Sequence, residues 1–161
     1  MRSYRLGMDI DATEKMLKNA IESANIEIYE AALKNPELNG MGTTVVIAIA
    51  EDDRAVIAHV GDSRAYFIND NIRQITRDHS VVQYLIDTGR ITKEAAKTHP
   101  DRNVITRAVG VNPEVDVDVD IIPINEGETI LICSDGLYEY VSEKEMFDIQ
   151  KKVLSELNIN R

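Results

Sequence analysis

Two aspartates stand out for where they sit. Asp135 closes the stretch Thr129-Ile130-Leu131-Ile132-Cys133-Ser134-Asp135-Gly136. An apolar run ended by a turn signal predicts a short strand buried on both faces. A carboxylate at the end of such a strand needs water, a donor or a cation, because burying an unpaired charge is costly. Gly136 lets the backbone turn sharply beside it. Asp62 repeats the grammar. Ala55-Val56-Ile57-Ala58-His59-Val60 ends in Gly61-Asp62-Ser63-Arg64, and a further strand over 65–68 follows at once. Two such carboxylates could converge on one hard cation, since Mg²⁺ and Mn²⁺ take oxygen ligands. Spacing alone favours the plainer reading of two turn aspartates capping hairpins, and the cation reading stays open beside it.

The other reactive residue types point to less. Three histidines are present. His59 lies inside a strand and reads as structural, while His79 and His99 read as loop residues, and their spacing makes no metal triad. The single Cys133 excludes an internal disulfide and a cysteine zinc cluster. Its place in an apolar run marks it as a small buried hydrophobe. Asp116, Asp118 and Asp120 alternate with valines. The period of two reads as a solvated strand face before it reads as a calcium site. Gly40 and Gly42 lack the lysine and helix of a phosphate loop, and no Gly-x-Ser-x-Gly elbow occurs.

Several elements must position these groups. Leu17, Ile21, Ala24, Ile28 and Ala31 make one face of a helix, capped by Asp11 or Thr13 and ended at Asn35-Pro36. Strands follow over 45–50, 55–60, 65–68 and 72–75, joined by short polar turns, which predicts an antiparallel sheet. Residues 80–110 interrupt them as a helical excursion. Ser80 caps one helix, Thr92 a second, and 103–109 reads as a third. Strands resume over 115–121 and 129–133. Ser142 then opens a last helix, with Glu145 at the capping-box position and Met146, Ile149, Val153 and Leu157 as its inner stripe.

At 161 residues the chain is one domain with enough length for a core. Its net charge of −10 argues against nucleic acid and anionic membranes as partners, which need a basic surface. No segment is long and apolar enough to span a membrane, and residues 1–9 lack an apolar signal core, so a cytoplasmic location is expected.

Taken in order, these pieces resemble the metal-dependent protein phosphatases of the PPM or type 2C family in their bacterial form. The resemblance rests on Gly40-Met41-Gly42-Thr43-Thr44, Ala58-His59-Val60-Gly61-Asp62-Ser63-Arg64-Ala65-Tyr66 and Thr76-Arg77-Asp78-His79-Ser80. It continues through Gly89-Arg90-Ile91-Thr92, His99-Pro100, Asn103-Val104-Ile105-Thr106-Arg107-Ala108-Val109-Gly110 and Leu131-Ile132-Cys133-Ser134-Asp135-Gly136-Leu137. It implies an α+β fold, an α-β-β-α sandwich of antiparallel sheets. It also implies hydrolysis of phosphoserine and phosphothreonine by a water activated at a Mn²⁺ or Mg²⁺ centre. Asp135 matches a ligand of the catalytic metal pair. Asp62, Asp135 and Glu139 match a third-metal position, with glutamate at 139 where the family has aspartate. Residues 80–110 match a flap beside the site, so that His79, Ser80, Arg90 and Arg107 are expected to shape substrate access. A serine/threonine kinase or its targets would be the phosphoprotein substrates.

The chain also departs from the family. The phosphate-gripping arginine, the Glu-Asp metal pair, the Asp-Gly-Met-Gly-Gly turn and the final Asp-Asn strand have no match. Residues 1–161 therefore resemble the middle of a single phosphatase domain, incomplete at both ends and without a complete catalytic set. The expectation is weak or no hydrolysis by this chain alone, with self-association through uncovered sheet edges. The alternative is a non-catalytic binding or regulatory module on the same scaffold.

Overall fold

Helix α1 (Ile10–Lys34) opens the structure, a computed structural model that describes residues 7–156. Its buried residues are Thr13, Leu17, Ile21 and Asn25, four apart along one face. The expected stripe holds at Leu17, Ile21 and Ile28, but the seat assigned to Ala24 belongs to Asn25. The Asn25 Oδ1 accepts from the Gly110 amide at 2.6 Å, and its Nδ2 donates to the Asn112 carbonyl at 2.9 Å. A buried amide placed here satisfies loop groups that a methyl would leave bare. Asp9, not Asp11 or Thr13, stands at the helix start.

The strands are β1 (Val45–Glu51), β2 (Arg54–Val60), β3 (Arg64–Ile68), β4 (Ile72–Gln74), β5 (Asp118–Pro123) and β6 (Thr129–Cys133). The first four do not form one sheet. They divide between two antiparallel sheets, ordered β1-β2-β5 and β4-β3-β6. The switch falls at Gly61, whose φ of +110° is strained for any other residue. A Cβ there would lie 2.4 Å from Thr44 Cγ2.

Strand β2 shows how the layers form. Val56, Ala58 and Val60 join Leu17, Ile21 and Val109 in a core beneath α1. Ala55 and Ile57 point the other way and join Ala65, Phe67 and Ile122 between the sheets. Each large aliphatic side chain so buried contributes about 1.5–3 kcal/mol. The predicted two-sheet sandwich with outer helices is therefore present. Val115, Val117 and Val119 all pack on the α1 core. Of the aspartates on the opposite face, Asp116 is exposed as a solvated face requires, while Asp118 and Asp120 are half-buried. Asp118 stands opposite His59 and Asp120 opposite Ile57, so both project toward the rim of the inter-sheet layer. Burial there raises the Asp120 carboxyl above its usual range.

Helices α2 (Val81–Asp87) and α3 (Lys93–Ala96) begin at Ser80 and Thr92, whose hydroxyls accept from the Gln83 and Ala95 amides. Residues 103–109 are not helical. Their polar groups go sideways: Thr106 donates to the His79 carbonyl at 2.8 Å, and Thr43 and Val109 form a bridge. Strand β6 is not buried on both faces either. Among the described residues it is an edge strand paired only with β3, which leaves Ile132 44% exposed and Cys133 half-buried. Helix α4 (Asp135–Tyr138) follows, then α5 (Glu143–Glu156) with its Ser142–Glu145 capping box intact. Met146 is the buried residue of α5, whereas Ile149 and Val153 are exposed. Leu157 lies outside the described residues. Gln150 reaches the Thr129 hydroxyl instead, at 2.9 Å. Among the described residues no helix is long and apolar enough to cross a membrane.

Candidate metal centre

The register of β3 and β6 decides where the two aspartates go. Arg64, the first residue of β3, stands opposite Cys133, the last of β6. Antiparallel pairing then sends the residues before Arg64 and those after Cys133 off the same end of the sheet. Asp62 and Asp135 are each two positions beyond that pair. Half-buried Asp62 has its carboxyl raised above the usual range, first by burial, then by the negative charges of Asp78 and Asp135, with Arg64 opposing. Asp135 is exposed rather than buried. Its Oδ1 accepts from the Gly136 amide at 2.8 Å. Exposed Glu139 comes one turn later, its amide bonded to the Asp135 carbonyl at 3.0 Å.

A brace that the sequence reading did not single out holds this end of the sheet. The Arg64 Nε and Nη2 grip both oxygens of buried Asp78, at 2.7–3.1 Å. Its Nη1 donates to the Tyr66 hydroxyl at 3.0 Å. The guanidinium lies 3.6 Å from the centre of the Tyr138 ring, a cation–π contact. The Tyr138 hydroxyl in turn donates to the Asp62 carbonyl at 3.0 Å. Burial, with the Asp62 charge behind it, pushes the Tyr138 pKa up, so that hydroxyl remains a donor. On the other flank the Thr44 and Ser63 hydroxyls are 2.8 Å apart. One signal for the brace was in the sequence: Arg64 and Tyr66 share a face of β3 by strand alternation.

The residues assigned to the flap occupy three different settings. His79 and Ser80 are buried. Arg90 is exposed, its guanidinium 5.7 Å from the Tyr84 ring centre. Arg107 is half-buried and donates to Asp118 Oδ1 at 2.6 Å and to the Asp116 carbonyl at 3.1 Å.

Among the described residues, the one set of three or more ligand-type side chains whose donor atoms lie within 4.8 Å of one another is His59, His79 and Asp118. The buried Nδ1 of His59 has no hydrogen-bond partner among the described residues. The rings do not suit a shared ion, however. They stack with centroids 4.7 Å apart and planes 15° from parallel. An imidazole lone pair lies in its ring plane, so two nearly parallel stacked rings do not aim at one point. The Arg107 guanidinium, 2.9 Å from His79 Nε2, adds a positive charge that repels a cation.

Known proteins resemble this chain in sequence and fold. The chain is 47% identical over 146 residues to the serine/threonine phosphatase stp of Listeria innocua, covering 89% of this chain and 58% of that protein. The chain thus spans well under two thirds of the length of that relative. The crystal structure of the serine/threonine phosphatase Stp1 from Staphylococcus aureus superposes with a TM-score of 0.85 at 40% identity, over 96% of this chain and 65% of that one. The catalytic domain of the phosphatase PstP, solved with two manganese ions, gives a TM-score of 0.79 at 32% identity over 96% and 67%. The family model for protein phosphatase 2C matches residues 3–160. With that match spanning nearly all of the sequence and the two-sheet sandwich shared, the chain belongs to the protein phosphatase 2C (PPM) family.

Proposed function

We propose that this chain supplies part of the metal centre of a protein serine/threonine phosphatase. The reaction is hydrolysis of phosphoserine and phosphothreonine by a water activated at a Mn²⁺ or Mg²⁺ centre. The observation that carries the reading is the Arg64–Cys133 register, which sends Asp62 and Asp135 off one end of the sheet. Asp62, Asp135 and Glu139 would hold the ion. The donor set fits: these are hard oxygen ligands, and Asp62 sits among like charges that a dication would offset. Such an ion would lower the pKa of a water bound to it and screen the phosphoryl oxygens. The chain's own residues do the holding. Arg64 keeps Asp78 neutralised and Tyr138 in place, and Tyr138 fixes the backbone of Asp62.

The same proposal takes residues 1–161 as one truncated PPM-type domain and 80–110 as its flap, with His79, Ser80, Arg90 and Arg107 shaping substrate access. Its partners are phosphoproteins, a serine/threonine kinase or the targets of one, met in the cytoplasm. Of the carboxylates Asp62, Asp135 and Glu139, only Asp135 matches a ligand of the catalytic pair, whereas a two-metal cluster carries about four positive charges to be offset. We expect these 161 residues alone to hydrolyse phosphate esters weakly or not at all, and to self-associate through the β6 edge where Ile132 is exposed.

The test is calorimetric titration with Mn²⁺ beside Mn²⁺-dependent hydrolysis of p-nitrophenyl phosphate. Loss of Mn²⁺ binding in Asp62→Asn and Asp135→Asn supports the reading, and wild-type affinity in both overturns it. Turnover equal to that of a full-length relative would overturn the expectation of weak activity. Tight capture of a cellular protein without metal-dependent turnover would favour a non-catalytic module.

A further inference from the structure

The bonds around His79 reach beyond the flap. Its amide donates to the Gly61 carbonyl at 2.9 Å, and the Gly61 amide donates back to its Nδ1 at 3.0 Å. Two reciprocal bonds thus tie His79 to the residue before Asp62. The ring is 5% exposed as a residue and stacks on His59. The His59 Nε2 lies 3.0 Å from the carbonyl of Arg77, two residues before His79. From the opposite side Thr44 closes on Gly61, leaving no room for a side chain. The turn that carries Asp62 is therefore held between Thr44 and His79.

The tautomer follows from Gly61. A backbone amide has only a proton to offer, so the Nδ1 facing it must be the acceptor. The ring proton is then on Nε2, which lies 3.1 Å from Asp118 Oδ2 and 2.9 Å from Arg107 Nη1. The carboxylate is the partner of that N–H, and the guanidinium is a close neighbour that shares the carboxylate without bonding the ring. Arg107 takes the other oxygen of the same carboxylate, at 2.6 Å. Asp118 thus gathers both donors and fixes the ring by its far edge. An acidic partner that sets a histidine's tautomer and orientation is a known device behind working groups. Burial, with Arg107 and His59 adding to it, also keeps the ring's pKa below its usual range, which preserves the Nδ1 lone pair.

We propose that His79 is a positioning residue for the Asp62 turn: Asp118 holds the Nε2–H form, and Nδ1 takes the Gly61 amide and fixes the direction of the Asp62 carboxylate. The inference rests on the proposed metal role of Asp62. It makes His79 part of the site's foundation as well as of its access flap.

Two substitutions separate this role from mere packing. Asparagine puts its Oδ1 near the position of the histidine Nδ1 and can accept from Gly61. Glutamine reaches toward Nε2 and can bond Asp118 but not Gly61. Three readouts apply to the whole chain: ring ¹⁵N shifts of His79, hydrogen exchange at the Gly61 amide, and Mn²⁺ affinity by calorimetry. We expect an Nε2–H ring at neutral pH. His79→Gln should speed Gly61 exchange and weaken Mn²⁺ binding about tenfold, the loss typical of a ligand's supporting partner. His79→Asn should keep both near wild type. A proton on Nδ1, or wild-type Gly61 exchange in His79→Gln, overturns the proposal. Faster Gly61 exchange with unchanged Mn²⁺ affinity overturns the positioning role and leaves a structural clamp. Asp62→Asn with unchanged Mn²⁺ affinity strikes the metal reading itself, a failure that Gly61 exchange does not share.

Discussion

The Asp62 turn and the middle of the 80–110 segment, residues 84–104, are held in different ways. The turn is tied by bonds between residues far apart in sequence. Arg64 grips Asp78, His79 exchanges bonds with Gly61, and Tyr138 reaches back to Asp62 across a separation of 76 residues. Between 84 and 104 most of the bonds are short-range, apart from Arg77 on Asp87 and the Val81 amide on the Val104 carbonyl. Gly89 donates to Ile86, Ala96 to Thr92 and Arg102 to His99, and residues 87–90 and 92–95 are exposed. A region braced by many distant segments opens only when much of the molecule does, whereas one held locally can open alone. The Asp62 turn is built to hold a charge still, and the 84–104 segment is the one that yields more easily.

Removing the firmest brace should have the largest effect. Arg64→Ala leaves Asp78, whose side chain is 7% exposed, without its cation. Losing one partner of a buried pair costs about 3–5 kcal/mol. The denaturation midpoint in urea should fall accordingly, and a loss below about 1 kcal/mol would mean the pair behaves as a surface one and the contrast is wrong.

A matched glycine pair sharpens the comparison at lower cost. Gly61 has φ +110° and a Cβ there would meet Thr44. Gly89 has φ +67° with nothing within 4 Å of the added atom. Gly61→Ala should cost about 3 kcal/mol through strain and overlap. Gly89→Ala should cost about 1 kcal/mol, the conformational penalty alone. Equal losses in thermal unfolding would erase the distinction between braced turn and free one.

The legible parts of this fold were local. The caps at Ser80, Thr92 and Ser142 could be read because cap and capped amide are three residues apart. The α1 stripe could be read from periodicity, except at Asn25, whose partners lie 85 and 87 residues away. The misread elements depended on neighbours the sequence does not display. Ile130 to Cys133 looks like a central strand, but burial is set by how many strands flank it, and β6 has one among the described residues. Residues 103–109 carry helix-compatible types, yet the Thr106 and Val109 amides are committed to His79 and Thr43. The strand-tip setting of Asp62 and Asp135 was visible. Their adjacency needed the Arg64–Cys133 register, and the Arg64–Asp78 pair needed the fold.

Acid probes the braced side without any mutation. The His79 ring is buried beside Arg107, His59 and Asp118, and its pKa lies below the ordinary 6.5. Between those two values the unfolded chain binds a proton that the folded chain does not, so stability falls as pH drops through 6.5 and levels below the folded value. Asp118, whose carboxyl is held low by His79 and Arg107 against the opposing effect of burial, adds its own loss further into acid. His79→Gln should flatten the first part of that decline in urea titrations at successive pH values. An unchanged slope would mean the ring is not the group that acid reaches.

The smallest effect belongs to the yielding side. Thr92 caps α3 with a hydroxyl accepting from Ala95 at 3.2 Å, and loss of such a cap costs about 1 kcal/mol. In a segment that opens on its own, that cost falls on local opening and not on global unfolding. Thr92→Ala should therefore raise hydrogen exchange at the 95–98 amides several-fold while the urea midpoint hardly moves. If the midpoint shifts by the full cap energy, α3 unfolds with the rest of the molecule. The 84–104 stretch would then be as firmly coupled to the core as the Asp62 turn, and its short-range bonds would carry no functional meaning.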